Sequence, residues 1–524
     1  MMEALKLETR STPMKPLQPG QCAQRLACCC AMLILLCSCT VVGPDYRRPD
    51  VAGITPADWH WKPAEPKDEI PGGEWWKVFG DPVLDELEAS AVANNQSLRA
   101  AVARVDEARA VARVSRSELF PELALAPLVR REQTSGNLPT PIPIDVPAAY
   151  FNTYSVPFDL SYEVDLWGRV RRSFEAAQAQ AEASVSDYRN VLLTLTADVA
   201  VNYFLIRALD DELTALVRMV ELRSDSVRIL TGRFEAGTIP EIDPAQAKTE
   251  LASSRAELAD VTRQRAETLH ALALLCGKPA GSIEITEERI GISPPAVPPG
   301  LPSSLLERRP DIARAERTLV ARNAQIGIAK AAWFPALSLT GQAGYLSAQA
   351  DSLFTGESGV WSFGPRISLP LFNAGRTAAN VKQAEASYWE AVAEYRQSVL
   401  VAFREVEDSL AQIVLRDRQA SAQAEALASA ARVTELARAR YEAGTASYLD
   451  LVDAERNMLQ HERRQAQIDG QRFAACVRLI KALGGGWESD GSRNQETSCD
   501  FNPIMGKGGR SFGGQFLLLD YKIV

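Results

Sequence analysis

Arg233-Phe234-Glu235-Ala236-Gly237-Thr238 and Arg440-Tyr441-Glu442-Ala443-Gly444-Thr445 spell one motif twice, 207 positions apart. At the same offset Gly168-Arg169 meets Gly375-Arg376, Asp243 meets Asp450, and Cys276-Gly277 meets Leu483-Gly484. A register held this long is a tandem duplication of a domain-sized unit rather than a short solenoid module. Upstream, Phe120-Pro121-Glu122-Leu123 matches Phe334-Pro335-Ala336-Leu337 at offset 214, so a loop changes length between the two matched regions. Whatever one half builds, the chain builds twice.

Each motif closes a long run free of helix breakers. Between Arg169 and Phe234 there is no proline and one glycine, Gly232, and between Arg376 and Ala443 there is neither. Val185, Tyr188, Leu192, Leu195 and Val199, then Leu209, Leu213, Leu216 and Val220, keep the 3,4 spacing of coiled-coil packing, as do Val399, Phe403, Val406, Leu410 and Ile413. The runs predict helices of roughly 65 residues, about 100 Å long at 1.5 Å per residue. Gly237 and Gly444 suit the left-handed position just past a helix end. Asp243-Pro244 then reads as an N-cap with proline at the first helical position, and Ser447-x-x-Asp450 as a capping box. Each motif is therefore the tip of an antiparallel helical hairpin. Turn geometry accounts for the glycines but not for the arginine, aromatic and glutamate around them.

From Thr153 to Leu166 polar and apolar residues alternate without exception, with Tyr154, Val156, Phe158, Leu160, Tyr162, Val164 and Leu166 on one parity. At roughly 3.3 Å per residue this strand reaches about 46 Å, enough to cross a bilayer while tilted. Trp361, Phe363, Pro365, Ile367, Leu369 and Leu371 repeat the pattern more loosely. Weaker strands precede each, over Leu123 to Val129 and Leu337 to Tyr345, so each half carries one β-hairpin. Unpaired backbone groups cost several kcal/mol each in hydrocarbon, so four strands cannot span a membrane alone and several chains must pool theirs. A soluble half-buried sheet is the competing reading of these strands.

Composition and the N-terminus fit an envelope protein. With 524 residues, 46% hydrophobic and 23% charged, the chain can bury a large core, and a net charge of −9 offers no field for phosphates, which argues against nucleic acid as a partner. Six of nine cysteines precede residue 40, and Leu26 to Leu36 is an apolar stretch following Lys15 and Arg25. Residues 1–38 read as a signal peptide, with Met14 the more usual start, and Leu36-Cys37-Ser38-Cys39 as a lipobox-like sequence that makes Cys39 the lipidated first residue. No later segment reads as the ~18 apolar residues of a membrane-spanning helix. Cys276, Cys476, Cys499 and three histidines, His60, His270 and His461, lack metal spacing, so no metal, cofactor or catalytic site is expected.

The chain resembles the outer-membrane factors of tripartite efflux systems, the TolC-like channels, in their lipidated branch. The resemblance covers roughly residues 39–487. It rests on Cys39 with Val42-Gly43-Pro44-Asp45-Tyr46 and Arg48-Pro49, on Trp75-Trp76 and Phe79-x-Asp81-Pro82-x-Leu84, and on Arg309-Pro310-Asp311-Ile312-x-x-Ala315-Glu316. Pro370-Leu371-Phe372-Asn373-x-Gly375-Arg376 and Tyr441-x-x-Gly444-x-x-x-Tyr448-Leu449-Asp450 complete it. It implies an α+β membrane protein: a homotrimer whose strands close a twelve-stranded barrel in outer-membrane lipid, continued by a periplasmic helical tunnel. It implies further that Arg233, Gly237, Thr238, Arg440, Gly444 and Thr445 form tips that meet a periplasmic adaptor (membrane fusion) protein, linked to an inner-membrane pump of the RND type. Tyr441, Leu449, Asp453 and Arg456 match the family's periplasmic gate, and the duct itself does no chemistry.

The implied organisation is a lipid-anchored segment over residues 39–92, repeats over 93–300 and 301–487, and a disordered tail over 488–524 that departs from the family. Cys37 is unusual in a lipobox, and Thr40 after Cys39 favours release to the outer membrane. A small-molecule exit duct leads; a type I protein-secretion duct and a coiled-coil lipoprotein tethering the envelope remain alternatives. The exported compound is not written in the sequence.

Overall fold

The computed structural model describes residues 41–60, 73–135, 148–297, 300 and 302–485. Cys39, the signal-peptide residues 1–38 and the tail 488–524 lie outside the described residues. Helix α1 (Pro82–Asn94) leads into the first half of the chain, which comprises α2 (Gln96–Ser117), β1 (Glu122–Leu125), β2 (Leu128–Gln133), β3 (Tyr150–Val164), α3 (Arg169–Glu235) and α4 (Ile242–Leu275). The second comprises α5 (Pro310–Ala331), β4 (Ala336–Ser347), β5 (Gly359–Ser368), α6 (Arg376–Glu442) and α7 (Tyr448–Ala482). Helices α3 and α6 have 67 residues each, so the two copies match in length to the residue.

Every strand pairing is antiparallel, in the order β1/β2, β3, β4, β5. The single upstream strand expected before β3 is broken in two at Ala126-Pro127, because proline has no N–H to give the ladder. Register carries the alternation across the whole sheet. Leu160, Gly341 and Phe363 lie side by side on one face with Leu123, and Val164, Leu337 and Ile367 continue it. Asp159, Gln342 and Ser362 share the other face, where the Gln342 amide donates to Asp159 at 2.9 Å. The apolar face lies open, with Trp361 81% and Ile367 72% exposed, and among the described residues both outer strands keep a free edge.

Three boundaries differ from the sequence reading. Strand β3 runs over 150–164 rather than 153–166, because the chain turns at Leu166, whose N–H bonds Val164, and Trp167 stacks on Phe334 at 4.6 Å. Strand β5 stops at Ser368, two residues before Pro370, so Leu369 and Leu371 lie outside it. Helix α4 begins at Ile242 with Glu241 at its N-cap, making Asp243 and Pro244 its second and third residues. Proline is tolerated there because the first-turn N–H groups have no intrahelical acceptor. The capping box of Ser447 and Asp450 is present in full.

A fourth correction concerns α3, which contains an 18-residue window of mean hydropathy 1.5, apolar enough to cross a membrane by composition. That window is 56% buried inside the protein, so its hydropathy reflects core packing on several sides. Part of the main hydrophobic core lies where α3 and α7 meet. Phe204 stacks on Phe473 at 4.4 Å, Phe79 adds its ring at 4.8 Å from Phe204, and the Trp75 indole donates to Thr196 at 3.1 Å. A Cβ on Gly470 would sit 2.6 Å from that of Ala208, so the helices approach more closely than any other residue there permits.

Candidate functional site

Both hairpin tips close with the same bonds. Gly237 and Gly444 hold φ +72°, and in each copy the glycine N–H bonds the aromatic carbonyl (Phe234 at 2.8 Å, Tyr441 at 3.0 Å). The Thr238 and Thr445 N–H groups reach back to Arg233 at 3.0 Å and Arg440 at 2.9 Å, completing a Schellman closure. Each threonine hydroxyl donates to the same arginine carbonyl, at 2.8 Å and 3.0 Å. A Cβ on either glycine meets nothing within 4 Å, so backbone conformation alone requires glycine. Arg233, Gly237, Thr238, Arg440, Gly444 and Thr445 are all solvent-exposed.

Beneath the tips, Tyr441 packs beside Tyr448 at 5.8 Å, over a cluster of Leu230, Ala247 and Val452. Burial pushes the Tyr448 hydroxyl up to about 12, with Glu455 adding to it. Leu449 stands apart from this cluster and is 47% exposed. Asp453 and Arg456 meet at 3.2 Å on the surface of α7, as their spacing predicts.

The stronger partner of Arg456 is one the sequence reading missed. Its guanidinium is bidentate on Glu250 of α4, with Nε at 3.0 Å, and the same carboxylate also takes Arg223 of α3. Arg223 and Glu250 are only 4% and 6% exposed, whereas Arg456 is half exposed. Burial pushes the Glu250 carboxyl up, but the bonds from Arg456 and Arg223 outweigh it and hold it below the usual carboxylate range. A second pair lies alongside: buried Glu455 accepts from Arg438 of α6 at 3.0 Å, while the Thr434 hydroxyl donates to Ala454 at 3.0 Å. The signal was available in the periodicity. Glu250 falls on the buried stripe of Pro244, Ala247, Leu251 and Ser254, and Arg223 on that of Leu216, Met219 and Leu230.

At the opposite end, residues just after Cys39 are fastened to the boundary between sheet and helices. The Val42 N–H bonds the Trp167 carbonyl at 2.9 Å, Asn323 donates to Pro44 at 2.9 Å, and buried Arg172 bonds Asp45 at 2.8 Å. Gly43, at φ +107°, lies flat on Gly327: a Cβ there would be 2.5 Å from the Gly327 Cα. Arg48 and Tyr46 both bond Glu316 of α5. The motif Val42-Gly43-Pro44-Asp45-Tyr46 therefore ties α3 of one repeat to α5 of the other.

A family model described as outer membrane efflux protein matches residues 87–278 and 301–485. The chain is 36% identical over 471 residues to the solvent efflux pump outer membrane protein SrpC of Pseudomonas putida, covering 87% of this chain and 97% of the relative. It is 34% identical over 469 residues to the pyoverdine export outer membrane protein OpmQ of Pseudomonas aeruginosa, with the same coverage. Among solved structures, the Campylobacter jejuni CmeC outer membrane channel superposes with a TM-score of 0.80 at 27% identity, covering 86% of this chain and 96% of that one. The open state of the Neisseria gonorrhoeae MtrE channel gives 0.74 at 30% identity, covering 85% and 98%. The open-edged amphipathic sheet and paired long hairpins are the channel architecture of these proteins, and the chain belongs to the outer membrane efflux protein family.

Proposed function

We propose that the chain assembles as a homotrimer, closes a twelve-stranded barrel in the outer membrane, and serves as the passive exit duct of a tripartite efflux system. The observation that carries this is the sheet, five strands in four positions because β1 and β2 lie end to end beside β3, with an exposed apolar face and free edges, joined to helices of 67 residues. Both edges find partners only if copies pair edge to edge. The exposed tips dock a periplasmic adaptor served by an inner-membrane pump of the RND type. Tyr441, Leu449, Asp453 and Arg456 hold the periplasmic end closed, and a lipid on Cys39 secures the N-terminus. Relatives named for solvent, toluene and pyoverdine export favour small organic molecules as cargo over proteins.

Purified full-length protein in planar bilayers tests the reading. A conducting trimer supports it, and a non-conducting monomer overturns it. Labelled palmitate incorporated by the native chain but not by Cys39→Ala tests the anchor separately.

A further inference from the structure

Helix α2 faces α3 with Leu98, Ala101 and Val105 buried, but farther along the same stripe, at Arg109, Ala112 and Arg116, burial is lost. The helices diverge there and leave a groove of about 440 Å³, lined by Arg109, Arg113 and Arg116 on one side and Phe174, Ala181 and Val185 on the other. We propose that this groove seats the phosphate of an anionic phospholipid from the leaflet next to the barrel.

Charge favours an anion. Among the described residues neither Arg113 nor Arg116 has a carboxylate within 4 Å, and Arg109 has only Asp106 at 3.8 Å, both ends largely exposed. The one acidic residue on the wall, Glu182, is engaged by Arg317 at 3.2 Å.

Position favours a lipid. Arg116 lies six residues before Glu122, where the sheet begins, and Arg109 to Arg116 spans about 10 Å at 1.5 Å per residue. On the duct reading proposed above, the groove thus sits on the water side of the barrel rim, at headgroup depth. Phe174 and Val185 supply apolar surface for the first methylenes of an acyl chain.

Native mass spectrometry of the full-length trimer, titrated with dioleoylphosphatidylglycerol or dioleoylphosphatidylcholine, tests this. Preferential retention of phosphatidylglycerol is expected, weakened about fivefold per arginine removed and about 100-fold in the triple variant R109A/R113A/R116A. Arg113→Lys should keep most of the binding, and unchanged trimer and conductance in the triple variant show that folding is intact. Equal phosphatidylglycerol retention by the triple variant overturns the proposal. So does displacement of the lipid by inorganic phosphate alone, which would mark a simple anion site. Shielding of these arginines from phenylglyoxal in the lipid-free trimer overturns it as well, because a neighbouring copy would then cover the groove. Loss of conductance in the wild type would instead sink the duct reading and leave the lipid result standing.

Discussion

Replacing Glu250 with glutamine tests the proposed closure of the tip more severely than a change at Leu449, Asp453 or Arg456. One carboxylate serves two guanidinium groups from two other helices, and it is 6% exposed beside Arg223 at 4%. Neutralising it leaves the Arg223 charge buried without a counterion, a loss of about 3–5 kcal/mol for a broken buried pair. Removing Arg456 instead leaves Glu250 with Arg223 and deletes a half-exposed partner, a loss of about 1 kcal/mol or less. Asp453 is 56% exposed and contributes still less within one chain. If only about 3 kcal/mol of the Glu250 loss falls on the closed arrangement, the open fraction rises more than 100-fold. Single-channel recording from trimers in planar bilayers should rank open probability as Glu250→Gln far above Arg456→Ala, with the wild type lowest. Acid should mimic the substitution. The folded carboxyl titrates below its ordinary range, so its contribution is complete above about pH 4.3 and disappears as pH falls through the lower folded value. An intact Glu250→Gln trimer with wild-type open probability would refute the reasoning, since the cluster would then be packing rather than a lock.

Two further outcomes follow from strain and burial. Gly43→Ala puts a Cβ against the Gly327 backbone at a φ of +107°, costing at least about 2 kcal/mol, so tryptic cleavage after Arg47 should accelerate about 30-fold; an unchanged rate would mean that the N-terminal segment is not held by this contact. Glu88 of α1 is wholly buried, neither carboxyl oxygen has a hydrogen-bond partner among the described residues, and burial, then Asp85, pushes it up to about 9. Below about pH 4.3 both folded and unfolded chains hold this proton; above that the unfolded chain ionises first, so stability falls until about pH 9. Glu88→Gln should therefore stabilise by about 3 kcal/mol at pH 7 and flatten thermal stability between pH 5 and 9, measured by scanning fluorimetry; an unchanged pH profile would count against a neutral Glu88.

What the sequence discloses here is what repeats along it. Alternation over Tyr154 to Val164, the 3,4 spacing of α3 and α6, the turn glycines and the Ser447 box are local or periodic, and each lies where its pattern points. Asp453 and Arg456 were legible for the same reason, being three apart on one helix, and they form the weaker half of the cluster. Glu250 joins Arg223 from 27 residues away and Arg456 from 206, distances over which only the packed hairpins bring side chains together. Gly43 and Gly327 are similarly remote, so Val42-Gly43-Pro44-Asp45-Tyr46 stands out as a motif long before its partner can be identified. Duplication sharpens the contrast. At the offset of 207, Asp453, Glu455 and Arg456 correspond to Gln246, Lys248 and Thr249, while the turn residues correspond to one another almost unchanged. Both copies thus keep the backbone bonds that shape a tip, and only the second supplies α7 with the charges that reach across to the first. Arg223 and Glu250 pair within the first repeat, so it is the reach of Arg456 onto that pair that joins unlike repeats, a contact the symmetry that reveals the fold cannot itself encode.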